Sequence, residues 1–241
     1  MFDWLLGVID PTRAHEVGFA ISWHGRLMVV AWGVFVPIGI LVARYFKVWP
    51  GQNWPKTLDT QMWWNTHRIV QTLALIFSIA GIWLVFTNTV PAISLTETAW
   101  LHGYLGWSVF GLCLLQFASG LLRGTKGGPT DDRGQMRGDH YDMTPRRIAF
   151  EWTHKIAGYL ALIVGALTIL LGLWQANAPR WMWIGLIGWW AFLILVSIIF
   201  QKRRMDVDTY QALWGPDSIH PGNRIGTPRV PGLRRIVEPQ K

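Results

Sequence analysis

A single cysteine, Cys113, is the only thiol in this 241-residue chain. One cysteine excludes a disulfide framework and a thiolate metal site, and its position inside an apolar run reads as a small packed side chain. Charge is also scarce. Asp, Glu, Lys and Arg together make 15% of the chain, against about 25% in an ordinary soluble domain, and no stretch has the composition of a separate soluble domain. The N-terminus, Met1–Ile9, lacks the basic n-region and small-residue cleavage site of a signal peptide. Met1 to Leu6 reads instead as a short interfacial helix. Acidic side chains are outnumbered, 14 against 22 basic ones, for a net charge of +8. That excess does not point to nucleic acid, because the basic residues cluster between apolar runs, where they set membrane orientation.

What is present fits a lipid solvent. Mean hydropathy is +0.25 and there are 17 Trp, a residue that favours membrane interfaces. A bilayer core of roughly 30 Å takes about 20 apolar residues as helix. Five runs qualify: 18–44, 63–86, 99–122, 149–173 and 181–201. Pro37 falls within the first, where a membrane helix tolerates it. The expected fold is all-α and integral to the membrane, with five transmembrane helices of which the first four form a four-helix bundle. The expected division is an N-terminal interfacial segment over 1–17, a membrane domain over 18–201 and a tail over 202–241.

Loop charge sets the direction. Arg44, Lys47 and Lys56 follow the first span. Arg123, Lys126, Arg133, Arg137, Arg146 and Arg147 follow the third, and Lys202-Arg203-Arg204 follow the fifth. The stretch 87–98 has no Lys or Arg, and 174–180 has only Arg180. The positive-inside rule then puts the N-terminus outside and the C-terminus in the cytoplasm. A short translocated N-terminus without a signal peptide fits a bacterial inner membrane. The tail, rich in Pro, Gly and Arg, is expected to lie along the inner surface rather than form a core.

The first four spans each hold one histidine: His24, His67, His102 and His154. Each lies one or two turns inside the N-terminal end of its span. A lone histidine in a helix is more often a packing residue than a ligand. Ionisable side chains within a bilayer are costly and mark sites, and neutral imidazole is a common axial ligand of haem iron. Spans one and three start outside, whereas two and four start inside. His24 and His102 therefore share the outer depth, and His67 and His154 the inner one. Four such ligands can hold two haems b, an outer one on His24/His102 and an inner one on His67/His154. No span holds a second histidine, which excludes the four-helix quinol-oxidising design with two histidines on each of two helices.

Partners for haem propionates are Arg26 near the outer pair, and Arg68, Arg147 and Lys155 near the inner pair. Arg68 and Lys155 directly follow their histidines and can equally snorkel to the surface. Gln71 lies one turn beyond His67. Gln116 lies fourteen residues past His102, about 21 Å deeper at 1.5 Å per residue, at the inner depth. Both are candidates to hydrogen-bond around the cofactor, or simply between helices. Glu151 and Lys155 are spaced i, i+4 with Arg147 a turn earlier, a helix-stabilising pattern beside which a proton-handling role for Glu151 is a second reading. His140 reads as part of a solvated polar loop. His15 and His220 lie outside the spans and carry no signal.

These residues resemble a family. His24-Gly25-x-Leu27, Trp32-Gly33, Pro37, Gly39 and Ala43-Arg44-Tyr45-x-Lys47 look like the first core helix of the cytochrome b561 family, in the branch that in eukaryotes is often fused to a DOMON domain. Trp63, His67 and Gln71 continue the match, as do His102, Gly106, Phe110, Gln116 and Leu122-Arg123. So do His154, Gly158-Tyr159, Gly165 and Gly172-Leu173. The likeness spans roughly 20–200, with no DOMON-like stretch before the first span. The loop 124–147 and the tail 205–241 look like extensions. The resemblance implies a diheme b-type oxidoreductase that passes electrons across the membrane, with ascorbate as the usual donor and monodehydroascorbate or a ferric chelate as acceptor, and it implies a homodimer. A different reading is a membrane-anchor cytochrome b subunit of a larger complex, trading electrons with quinone or a periplasmic redox protein.

Overall fold

The computed structural model describes residues 2–87, 96–128, 138–224 and 233–236. The basic loop positions Arg133 and Arg137, and most of the stretch 87–98 that has no Lys or Arg, lie outside the described residues. Five helices are long and apolar enough to cross a membrane: Phe19–Tyr45, Met62–Phe86, Glu97–Leu121, Pro145–Gln175 and Arg180–Lys202. The chain is an all-α integral membrane protein. Among the described residues there is no strand, only two isolated bridges, Val8–Pro179 and Val207–Arg234.

In chain order, α1 is Phe2–Leu6. The first span consists of α2 (Phe19–Met28), a π-helical stretch (Val29–Phe35) and α3 (Val36–Tyr45). Then come α4 (Met62–Phe86), α5 (Glu97–Leu121), α6 (Asp139–Asp142), α7 (Pro145–Gln175), α8 (Arg180–Lys202), α9 (Thr209–Trp214) and α10 (Pro221–Arg224). Large apolar side chains such as Ile69, Ile76, Trp83, Ile163 and Ile194 are exposed, as lipid-facing residues should be.

The fourth span starts earlier than the expected 149. Thr144 and Pro145 explain the difference. Proline at the first helical position needs no N–H partner, and Thr144 Oγ1 accepts from Arg147 N at 3.4 Å, as an N-cap does. In α5, Thr96 Oγ1 accepts from Ala99 N at 3.3 Å in the same way.

The chain packs as two compact units. Met1–Gly39, Arg68–Leu114 and Tyr159–Ser197 make the first; Ile40–His67, Leu115–Gly158 and Ile198–Lys241 make the second. In the first unit, Pro37 has no N–H to give to the preceding turn. The π-helical turns lie just upstream, a widening that often accompanies such interruptions. The Gly33 carbonyl accepts from the indoles of Trp189 at 3.0 Å and Trp190 at 3.2 Å, both on α8. Trp32 Nε1 donates to Ser78 Oγ at 3.0 Å and ties the first span to α4. Fully buried Asn177 holds the N-terminal segment. Its Nδ2 donates to Asp10 O at 2.9 Å and Arg13 O at 2.7 Å, and its Oδ1 accepts from Asp10 N at 3.1 Å.

In the second unit the tail departs from the expected surface segment. Val207, Ala212 and Leu213 are buried with Trp63, and Phe46, Val48, Trp54, Trp64 and Trp214 pack against them. Asp208 caps α9, accepting from Tyr210 N at 3.0 Å and Gln211 N at 3.4 Å. Gly222 lies so near Tyr210 that a Cβ there would sit 2.3 Å from the ring. The polar side chains of this segment are spent on capping and cross-links, which lets a segment with little apolar content form a core.

His140 also departs from expectation. It is 3% exposed, against the rings of Tyr210 and Trp214 at 5.8 and 6.1 Å. His220 Nδ1 pairs with the Tyr141 hydroxyl at 3.2 Å. Lys47 is buried as well, donating to Val207 O at 3.0 Å and Arg44 O at 3.4 Å. Its burial pushes the ammonium down to about 7, with neighbouring Lys155 acting in the same direction.

Candidate functional site

In the first unit, α2 brings His24 opposite His102 of α5. The ring centres are 6.2 Å apart and the planes meet at 79°. His24 Nδ1 lies 3.0 Å from the Gly81 carbonyl oxygen, and His102 Nδ1 lies 3.0 Å from that of Thr168. A carbonyl can only accept, so each Nδ1 carries a proton, and the lone pair of the neutral imidazole then lies on Nε2. That is the tautomer an axial ligand needs, with its orientation fixed by the second nitrogen. Space is controlled around these rings. A Cβ on Gly172 would come within 3.0 Å of His102 Cε1, whereas Gly25 and Gly103, next in sequence to the histidines, border open space.

In the second unit, His67 of α4 faces His154 of α7, with ring centres 6.4 Å apart and planes at 68°. His154 Nδ1 meets Ser119 Oγ at 3.0 Å, and that hydroxyl lies 2.9 Å from the Gln116 carbonyl oxygen. The one hydroxyl proton goes to the carbonyl, so Oγ accepts from Nδ1–H, and His154 Nε2 is left with its lone pair. His67 stacks on Trp64 at 6.5 Å and 29°.

The separations fit one iron between each pair. Two metal–nitrogen bonds of about 2 Å, each continuing about 1.1 Å to a ring centre, require about 6.2 Å. The donor set, two facing imidazoles, with the tautomers of His24, His102 and His154 set by their Nδ1 partners, is one that haem b takes.

The other residues singled out from the sequence fall as follows. Arg26 is exposed and its guanidinium lies 5.1 Å over the Trp23 ring. Gln71 Nε2 donates to Val36 O at 3.2 Å and fills the space beside Gly39. Gln116 Nε2 donates to the backbone carbonyl of His154 at 2.9 Å. Both glutamines therefore tie helices together through backbone oxygens. Arg68 is exposed. Lys155 Nζ contacts Glu151 Oε2 at 3.4 Å, and the same buried carboxylate accepts from Arg147 Nε at 3.1 Å and stands 4.0 Å from His140 Nε2. The cations around Glu151 are thus engaged with it. Sequence reasoning missed Ser119, Gly172 and Trp64 as neighbours of the histidines. Trp64 carries a faint signal, three residues before His67 on one helix face. Nothing in the sequence marks the carbonyls of Gly81 and Thr168.

Five apolar helices, four of which present imidazoles in facing pairs, define a class: integral membrane proteins of electron transport that bind haem b. The comparison with known families agrees. The family described as eukaryotic cytochrome b561 matches residues 23–179, and the chain belongs to the cytochrome b561 family. It is 31% identical over 184 residues to ferric-chelate reductase 1 of Bos taurus, covering 74% of this chain and 27% of that protein. The human ferric-chelate reductase 1 is 29% identical over 193 residues, with coverage of 78% and 28%. A cytochrome b561 and DOMON domain-containing protein of Arabidopsis thaliana is 25% identical over 201 residues, with coverage of 78% and 43%. The chain thus spans about a quarter of the length of the ferric-chelate reductases it matches. No solved structure matches.

Proposed function

We propose that this chain carries two bis-histidine haems b, on His24/His102 and on His67/His154, and passes electrons through them from a donor on one side of the membrane to an acceptor on the other. The observation that carries the proposal is the two facing imidazole pairs, with ring centres at 6.2 and 6.4 Å. Bound haem supplies reversible one-electron chemistry at iron. The protein's part is to bind and orient. The Gly81 and Thr168 carbonyls hold the protons of His24 and His102 on Nδ1, and Ser119 does so for His154. Gln71 and Gln116 fix the helices that bear these rings. Arg26 on one side, with Arg68 and Lys155 on the other, supplies positive charge for propionates or an anionic substrate.

Loop charge supports an N-terminus outside and a C-terminus in the cytoplasm, which makes His24/His102 the outer pair. The bacterial setting read from the N-terminus finds no support among the relatives named, which are eukaryotic. Those relatives favour a ferric chelate as acceptor, and ascorbate or quinol as donor are the arms to compare. The deciding experiment is a reduced-minus-oxidised visible spectrum of the purified chain with haem quantified per polypeptide. His24→Ala and His67→Ala variants are measured alongside. Two low-spin b haems are expected, each variant losing a different one. Absence of haem, or one haem only, sinks the proposal. Co-purification of a second redox subunit would assign the chain to a larger complex.

A further inference from the structure

A cavity of about 400 Å³ lies among α5, α7 and α8 in the first unit, at the end where α5 begins and α7 ends. Leucines and two tryptophans make its whole wall. It adjoins the His24/His102 pair. The His102 ring meets α7 at the Thr168 carbonyl, 3.0 Å from Nδ1, and at Gly172. The residues just before these two, Leu167 and Leu171, line the cavity. So do Leu101 and Leu105, which flank His102 on α5. Leu101, Leu167 and Trp174 are 47%, 50% and 41% exposed, so the cavity opens on the lipid-facing surface.

The wall selects its occupant. Ascorbate and ferric chelates are charged and hydrated, and a wall of leucine and indole gives them nothing in return for lost water. The volume falls in the range of small-molecule sites, about 300–1,000 Å³. Two indoles, Trp174 and Trp183, favour a flat ring. Trp183 Nε1–H is buried and meets no acceptor among the described residues. An indole N–H only donates. A ring carbonyl meets that need, and a lipid acyl chain has nothing to offer it. Arg13 marks the polar edge of the cavity, with its guanidinium 5.4 Å from the Trp174 ring centre and Nη2 donating to Gln175 O at 3.0 Å.

We infer that this cavity binds the ring of a lipid-soluble quinol, the electron donor to the His24/His102 pair. The inference rests on the ligand assignment proposed above and names the donor class for it. A quinol that becomes quinone releases two electrons and two protons. Two one-electron reductions of ferric iron take up the electrons, and the protons pass to water at the end of the spans. Leu105, Leu167 and Trp183 bind the ring and do not touch iron.

The test uses the full-length holoprotein in lipid nanodiscs, with a short-tailed azidoquinone as photolabel and decylubiquinone as competitor. Labelled peptides are mapped by mass spectrometry, and haem per chain is measured. In wild type the label is expected on peptides holding 101–105 and 167–183, and excess decylubiquinone should suppress it. Leu105→Trp and Leu167→Trp each fill the cavity. Either should cut that labelling at least about tenfold and abolish saturable haem reduction by decylubiquinol, while dithionite still reduces both haems. Trp183→Phe should weaken decylubiquinone binding about fivefold, the worth of one neutral hydrogen bond. Ile194→Trp, at an exposed position of α8, should match wild type. Label spread evenly over lipid-facing positions means that the cavity holds only acyl chain and overturns the inference. So does labelling that persists in both filling variants. Cavity labelling in a chain that binds no haem would instead refute the ligand assignment, a separate and distinguishable result.

Discussion

Replacing Gly172 should remove one cofactor and spare the other. In the present geometry a Cβ at this position would lie 3.0 Å from His102 Cε1 and 3.5 Å from Nδ1. Ordinary carbon–carbon contact begins near 3.5 Å, so the imidazole must retreat from α7 by about 0.5 Å. The carbonyl that orients it, Thr168 O at 3.0 Å, belongs to the same helix. The retreat therefore stretches that hydrogen bond to about 3.5 Å, the edge of a real one. Losing it costs about 1 kcal/mol, and overpacking adds about 1–3 kcal/mol. Loss of an orienting partner typically weakens metal affinity about 10–100-fold. For Gly172→Ala the expected result is partial loss of one b haem, and for Gly172→Val, with two further methyls, near-complete loss. The control is Gly158→Ala, whose Cβ would meet Gln116 at an ordinary 3.8 Å and should leave both haems in place. Haem per chain and the low-temperature reduced spectrum read the outcome. A Gly172→Val protein with two haems and wild-type potentials would refute the ligand geometry at His102.

Ser119→Ala should leave His154 Nδ1–H without its acceptor at 3.0 Å. A less basic imidazole then binds iron, and the component lost in His67→Ala should lose occupancy by up to about 10-fold, with Ser119→Thr restoring it. Lys47 makes a pH prediction. Its folded value of about 7 lies below the roughly 10.4 of an unfolded lysine, so between those limits the unfolded chain holds a proton that the folded one has released. Stability should rise as pH climbs from about 7 to about 10 and be lowest below that window. Thermal unfolding of the detergent-solubilised protein should show this slope, and Lys47→Met should flatten it.

The five spans were legible because lipid imposes a strong pattern, about 20 apolar residues without charge. The alternation of successive spans was enough to say which imidazoles would face each other. The start of α7 was misplaced because Thr144-Pro145 acts as a cap in a stretch that looked like loop. His140 and the tail were misread for a different reason. Segments with few apolar side chains normally stay solvated, yet Asp208, Tyr210 and Gln211 satisfy enough polar groups to let Val207, Ala212 and Leu213 reach Trp63. The groups that orient His24 and His102 were illegible in principle. They are backbone carbonyls, identical at every position, and only the packing of helices selects Gly81 and Thr168.

The pairing of Pro37 with the two indoles at Gly33 bears on how a fifth helix can be added to a four-helix protein. The first span keeps an oxygen available to α8 at one level of the membrane, and two adjacent tryptophans on α8 reach it. Two indole donors on one backbone oxygen fix the height of that part of α8 along the span, beside the buried Leu186 that packs at the same glycine. With two indoles on one oxygen, loss of either leaves the other donor in place. The lipid-facing sequence of α8 is therefore free to change, as an interlocked side-chain seam would not be.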